Sequence, residues 1–590
     1  MILDKINSPK DLKTLNVSDM KLLAGEIREL IINKVNTIGG HLGPNLGIVE
    51  ATIAMHYVFD CPKDKIIFDV SHQCYPHKIL TERKEGFLNP ENYFKYTGYT
   101  ATEEGPYDLF KVGHTSTSIS LATGVAKARD LAGAKENVIA LIGDGSLSGG
   151  EAYEGLNNAA VLNSNIIIIV NDNDMSIAKN QGGLYQNLKL LRDTKGMADN
   201  NFFKTLGFDY LYVDEGNDIE KLIEAFRRVK DINHPVIVHI KTQKGCGLEV
   251  AEQNKEAFHW ILPHTLDSLN KVQKTKQIET YNSITRDFLL EKAKNDPMVI
   301  VINPATPGAV GFDTDFRENM GAQYTDTAIA EEHAVAYASA LAKSGAKPVL
   351  CVLSSFIQRT YDQLSQDLCL NNSPATLLVH WGAISGADAT HLGCFDIPLI
   401  SNIPNMVYLA PTCKEEYIKM LEYSINQNSY PVGIRVPFGE LISSGIKDDT
   451  DYSVLNKFKM EKEGKNIAII GAGNFYHLAK NVFNKINNTL GFMPTLINPK
   501  FLSGLDIDML EYLKKNHNLV ITLEDGVLDG GFGEKIARFY GNSNMKVLNF
   551  GAKKEFTDRV PLAELYQRYH LTEELILDDI IKTLKLEQMA

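Results

Sequence analysis

Short runs of β-branched and aliphatic residues alternate with longer helical patterns along nearly the whole chain, and this alternation constrains the fold more than any other feature. A strand covered on both faces needs a continuous apolar run, and parallel strands need a crossover, usually helical, to return the chain. The pattern therefore predicts an α/β protein of mainly parallel sheets with helices on both faces. Strands are expected at Ile66–Val70, Val138–Ile142, Ile166–Val170 and Val236–Ile240. A second set is Val299–Ile302, Val349–Leu353, Thr376–Val379, Met406–Leu409 and Val432–Arg435, and a third is Ile467–Ile470, Leu519–Leu523 and Val547–Asn549. The stretches between these blocks, roughly Pro263 to Lys294 and Phe438 to Lys465, lack strand character and read as linkers. A chain of 590 residues is too long for one core, and the blocks give three domains, at 1–265, 295–440 and 455–590.

Charge and composition exclude several function classes. The net charge of −13, with no Lys/Arg cluster, argues against a nucleic-acid partner. The longest purely aliphatic run, Ile166–Val170, is far short of the about 20 residues that cross a bilayer, so no membrane partner is expected. The first residues, Met1-Ile2-Leu3-Asp4-Lys5, lack a basic stretch followed by an apolar one. Seven widely spaced cysteines without a Cys-x-x-Cys pair indicate neither a disulfide framework nor a zinc site. A reduced, cytoplasmic protein is the expectation.

The chemistry follows the strand ends, where open parallel sheets bind their ligands. In the first block these ends carry Ser71-His72-Gln73, Gly143-Asp144-Gly145, Asn171-Asp172-Asn173 and Thr242-Gln243-Lys244-Gly245. Asn173 lies 29 residues after Asp144, and each closes an aliphatic strand. Mg²⁺ takes hard oxygen ligands and commonly shares them with a phosphate. A carboxylate, an amide oxygen and a backbone carbonyl from neighbouring strand ends would supply them. The glycines let the backbone approach a diphosphate closely.

Taken together, these segments resemble the 1-deoxy-D-xylulose-5-phosphate synthases. The matching motifs are Gly39-Gly40-His41-Leu42-Gly43, His72-Gln73-Cys74-Tyr75-Pro76-His77-Lys78, Gly113-His114-Thr115-Ser116-Thr117-Ser118, Gly143-Asp144-Gly145-Ser146 with Asn171-Asp172-Asn173-Asp174-Met175, Ala328-Ile329-Ala330-Glu331-Glu332-His333, Gln358-Arg359-Thr360-Tyr361-Asp362, and Gly386-Ala387-Asp388 leading to Thr390-His391. They keep the family's order from about residue 38 to 440, and the similarity is looser beyond. The resemblance implies thiamine diphosphate and Mg²⁺ as cofactors, lying between the first two domains, pyruvate and glyceraldehyde 3-phosphate as substrates, and a homodimer. It implies that Asp144, Asn173 and the Met175 carbonyl hold the metal. His72, Gly113, His114, Thr115, Gly145, Ser146, Asn173 and Phe356 would contact the cofactor, and Glu331 would reach its aminopyrimidine ring. His41 and His391 would transfer protons, Tyr361 and Asp388 position intermediates, and Arg359 and Arg435 grip phosphate. His259 matches a family position but is equally readable as an anchor of the linker.

The resemblance thins on the acceptor side. Where the family usually reads Asp-Arg-Ala-Gly this chain has His380-Trp381-Gly382-Ala383, and Arg-Tyr-Pro-Arg-Gly becomes Arg435-Val436-Pro437-Phe438-Gly439. Leu248 and Asn217 replace a usual tyrosine and histidine. Tryptophan for arginine exchanges a bidentate phosphate donor for an apolar ring. A carboligase with a different aldehyde or sugar-phosphate acceptor is therefore the alternative, and a 2-oxo-acid dehydrogenase first component acting on a lipoyl partner is a further one. Two glycine clusters, Gly471-Ala472-Gly473 and Gly530-Gly531-Phe532-Gly533, read as strand-to-helix turns, the first because position 476 is Tyr and not the third glycine of a dinucleotide fingerprint.

Overall fold

A computed structural model describes residues 1–269 and 278–589. The chain forms two compact units, Met1–Lys276 with Ala328–Ala330, and Gln277–Thr327 with Glu331–Ala590. The first unit holds a wholly parallel five-stranded sheet in the order Lys65–Phe68, Val138–Gly143, Ile166–Asp172, Pro235–Lys241, Asp209–Val213. Its central strands are buried on both faces because successive aliphatic side chains point into two separate clusters. Ile167 and Ile169 join one, and Ile166, Ile168 and Val170 the other.

The second unit holds two sheets. One is parallel and six-stranded, in the order Val407–Leu409, Val432–Arg435, Thr376–His380, Lys347–Leu353, Val299–Asn303, Tyr324–Asp326. The other has five strands, Lys459–Lys462, Thr495–Asn498, Asn466–Gly471, His517–Val527 and Lys546–Ala552, of which only the lysine-flanked edge strand Lys459–Lys462 runs antiparallel. One hydrophobic cluster joins these two sheets, with Leu377 and Tyr408 on one side and Ile470 and Phe532 on the other.

Every expected strand is present, within a few residues of its expected ends. Those missed are Asp209–Val213, Tyr324–Asp326, Lys459–Lys462, Thr495–Asn498 and the two-residue pair Gly40–His41 and Trp260–Ile261. They are short, and most lie at sheet edges, where one side faces no neighbour and a long apolar run is not required. Both stretches expected as linkers, the first helical in pattern, contain packed residues. Residues 270–277 lie outside the described residues. Beyond them Tyr281–Asn295 is a helix capped by Thr280, and it packs Tyr281, Ile284, Leu289 and Ala293 into the core of the second block. In the second stretch Asp448 and Tyr452 form a buried network with Lys500, while Lys447, Asp449 and Asp451 of the charged run are exposed. Both glycine clusters are the turns expected. The second is held by the buried Glu524, which accepts the N–H groups of Phe532 (2.9 Å) and Gly533 (2.7 Å) as the helix Phe532–Tyr540 begins.

Candidate active site

In the first unit the strand Val138–Gly143 ends at Asp144, and a short turn, Gly145–Ser148, leads into the helix Gly150–Ala159. Asp144 is buried, and its carboxylate accepts the Met175 N–H (3.0 Å) and the Asn180 amide (2.7 Å). Burial, with the neighbouring Asp172 charge, pushes its carboxyl up to about 8. A carboxylate so placed lacks a compensating cation. The side-chain oxygens of Asn173 and Asn180 are buried and have no hydrogen-bond partner among the described residues. A desolvated carboxylate beside two unsatisfied amide oxygens is the donor set that a hard divalent cation takes, so these residues fit Mg²⁺. Gly145 is needed because a Cβ there would lie 2.8 Å from Ser176 Oγ.

Loops from elsewhere in this unit are tied to the same strand ends. The strand Lys65–Phe68 stops short of the expected Val70 because Val70 and Ser71 adopt left-handed conformations (φ 57° and 62°). That geometry is costly for a β-branched residue and persists only where its surroundings enforce it. Here the buried Asp69 accepts the N–H groups of Ser116 (2.8 Å) and Ser118 (2.9 Å), while Ser71 Oγ donates to the Val112 carbonyl (2.5 Å). These bonds pin both flanks of Gly113-His114-Thr115. Ser116 Oγ in turn donates to the Ser146 carbonyl (2.8 Å), and a Cβ on Gly149 would collide with that hydroxyl.

His41 and His72 come together. The antiparallel pair Gly40–His41 and Trp260–Ile261 brings His259 beside them, with ring centroids 4.8 Å apart for His41–His72, 5.5 Å for His41–His259 and 5.4 Å for His72–His259. Burial, with the Lys244 charge, pushes His259 well below its ordinary value and keeps it neutral. His259 is therefore part of this cluster and not only a linker anchor. Asn45 fixes the geometry: its amide donates to the carbonyls of His41 and His72 (both 2.8 Å), and its oxygen accepts the Tyr75 N–H (2.9 Å). Sequence reasoning missed Asn45 and Asp69. Both lie inside or beside motifs singled out above, so a buried-polar reading of those loops could have found them.

In the second unit Glu331 opens the helix Glu331–Lys343 and is buried. Burial pushes its carboxyl up to about 7, against the Arg359 guanidinium 3.7 Å away. Its Oε2 has no hydrogen-bond partner among the described residues. A buried carboxyl whose Oε2 faces Arg359 without a hydrogen bond fits a ring nitrogen of an aminopyrimidine. Phe356 packs edge-on to His391 (5.7 Å), which accepts from or donates to Thr390 Oγ1 (2.9 Å) and is pushed down to about 4 by burial. Asp388 lies 3.7 Å from Arg559. Two expected residues stand apart. Tyr361 is half exposed, and its hydroxyl donates to Asn402 (2.9 Å). Arg435 is buried between Asp396 and Asp525, its charge spent on both carboxylates, which leaves it no free face for a phosphate.

Comparison with known proteins agrees with this geometry in stages. Residues 279–442 match the transketolase pyrimidine binding domain and residues 456–576 the transketolase C-terminal domain, which places the chain among the transketolase-like enzymes. Residues 3–199 and 187–242 match the family described as 1-deoxy-D-xylulose-5-phosphate synthase. Proteins of that name from Dictyoglomus turgidum (38% identical over 624 residues, 99% of each chain) and Carboxydothermus hydrogenoformans (37% over 614 residues, 97% of each) are similar to it along their length. The chain belongs to the 1-deoxy-D-xylulose-5-phosphate synthase family.

Proposed function

We propose that this chain decarboxylates pyruvate and joins the remaining two-carbon unit to the aldehyde of glyceraldehyde 3-phosphate, forming 1-deoxy-D-xylulose 5-phosphate. Family membership along the whole chain supports the reaction, and the observation that carries the chemistry is Glu331, a buried carboxyl whose Oε2 makes no hydrogen bond. Thiamine diphosphate supplies the nucleophilic carbon and the electron sink, and a divalent metal such as Mg²⁺ anchors its diphosphate. Asp144 and Asn173, with the Met175 carbonyl, hold the metal, and Asn180 joins them through its unpaired oxygen. Gly113, His114, Thr115, Gly145 and Ser146 line the diphosphate's path, on loops that Asp69 and Ser116 fix. Glu331 would hydrogen-bond the aminopyrimidine ring, and its carboxyl, raised to about 7 by burial, could hold a proton there at neutral pH. Phe356 packs on that ring. His41 and His391 move protons at the reacting carbonyls, and His72 contacts the cofactor. His41 and His72 lie edge to face, and burial keeps His391 neutral, so that its ring can both accept and donate.

Arg359, which faces Glu331 at 3.7 Å, is the phosphate-binding group of this reading; Arg435 is buried between two carboxylates. Asp388 and Tyr361 position the acceptor. The division into domains at 1–265, 295–440 and 455–590, a homodimeric assembly and a cytoplasmic location complete this reading. Among the described residues no helix is long and apolar enough to cross a membrane.

The test incubates the protein with thiamine diphosphate, Mg²⁺ and pyruvate, with and without the triose phosphate, and follows CO₂ and the deoxy sugar. Glu331→Ala is expected to lose at least about a hundredfold in kcat, as removal of a catalytic acid–base group does. Activity within a few-fold of the parent protein would overturn the role of Glu331.

A further inference from the structure

A cavity of about 840 Å³ lies in the second unit, with His391 in its wall. Its size is that of a pocket for a small organic molecule. Trp381, Phe438, Phe475, Leu478 and Tyr566 line it. Trp381 and Phe438 stand where the resemblance places arginines, and both are about half exposed, at 46% and 48%. Trp381 is held in a left-handed conformation (φ 61°), and its carbonyl packs so closely on Gly393 that a Cβ there would collide with it. A bulky residue kept in that conformation is presented to the cavity by its surroundings, not by its own preference.

The charges of the wall decide what the cavity takes. No lysine or arginine lines it, whereas Asp525, Glu573 and Glu574 do. Arg435 and Asn474 hold Asp525, and Lys485 pairs with Glu574. The first turn of the helix Glu573–Met589, which could otherwise attract an anion, is already occupied by its own two glutamates. A phosphate ester here would meet aromatic faces and carboxylates without a guanidinium fork. An uncharged, apolar body would bury itself against five large side chains.

On the reading proposed above, we infer that this cavity admits a second class of acceptor, unphosphorylated aldehydes with an aromatic or branched apolar body, and that Trp381 and Phe438 select for it. In the reaction the C1–C2 bond of pyruvate breaks and CO₂ leaves. The electron pair of that bond forms the new carbon–carbon bond to the aldehyde carbon. The aldehyde oxygen takes one proton, for which His391 is the group in the wall able to pass it. The product is a neutral hydroxyketone. Pyruvate, the aldehyde and one proton balance against the hydroxyketone and CO₂.

The experiment uses the full chain with thiamine diphosphate, Mg²⁺ and pyruvate, and compares phenylacetaldehyde with glyceraldehyde 3-phosphate as acceptors. The aromatic aldehyde is expected to reach a kcat/KM within about tenfold of the triose phosphate or above it. Trp381→Arg and, separately, Phe438→Arg should each shift that ratio toward the triose phosphate by about ten- to a hundredfold, the worth of one charge-assisted bond. Two variants guard against one of them failing to fold. A binding arm reads the cavity without turnover. The chain has two tryptophans, so Trp260→Phe leaves Trp381 as the only indole reporter, and the unreactive 2-phenylethanol should change its emission saturably. If the triose phosphate reacts while phenylacetaldehyde falls more than about a hundredfold below it and 2-phenylethanol leaves the emission unchanged, the second acceptor class is wrong and the synthase reading stands. If no acceptor supports CO₂ release, the synthase reading fails, and the emission arm still decides whether the cavity takes an apolar ligand.

Discussion

The strand ends of the first unit and the cavity of the second are built on opposite principles. Around Asp144 the side chains are buried, polar and bonded to backbone groups of neighbouring loops, so that Asp69, Asn45 and Ser116 act as fixed struts. Around Trp381 and Phe438, themselves half exposed, the wall presents large apolar side chains. A site that must place a metal and a diphosphate tolerates little displacement, because every oxygen has a set distance. A wall that sorts acceptors by shape and charge can change one side chain at a time. The contrast explains why the cofactor motifs are intact here while the departures gather on the acceptor side.

Breaking the polar region should cost far more than altering the apolar one. Asp144→Asn removes the only carboxylate of the proposed metal set and should weaken thiamine diphosphate binding at fixed Mg²⁺ by on the order of a hundredfold, since even outer-shell partners of metals cost 10–100-fold. Calorimetric titration checks this, and an unchanged affinity would place the metal elsewhere. Next in size is Asn45→Ala, which frees the buried Tyr75 N–H and releases the His41 and His72 carbonyls. We expect a stability loss of about 1–3 kcal/mol in denaturant unfolding, with a fall in kcat larger than any change in KM for pyruvate. A purely structural role would lower stability and leave kcat alone.

The smallest effect sharpens the comparison from outside both regions. Burial raises the Glu524 carboxyl from its ordinary 4.5 to about 7, so the folded chain binds this proton more tightly than the unfolded one. Its contribution to stability is therefore complete below about pH 4.5 and is lost as the pH rises through about 7. Glu524→Gln should flatten that decline, by on the order of 2 kcal/mol across the window, when unfolding midpoints are compared at several pH values. An identical slope in both proteins would show that Glu524 is not raised.

The sequence by itself determined the α/β class, the central strands and the cofactor motifs, because each depends on local information. A doubly covered strand must be written as an unbroken apolar run, as in Ile166–Val170, and the proposed metal site must carry its oxygen donors at strand ends, as Asp144 and Asn173 do. Edge strands such as Asp209–Val213 escaped because the lack of a neighbour on one side removes the need for such a run. Tertiary structure alone decided the partners. It gave Arg435 to Asp396 and Asp525, made a core helix of Tyr281–Asn295, brought His259 to His41 and His72, and set Trp381 and Phe438 in one wall with His391. Residues far apart in the chain meet only when sheets and loops are packed. Whether a charge is free or spent, or a ring faces a cavity or the core, depends on neighbours that no local pattern encodes.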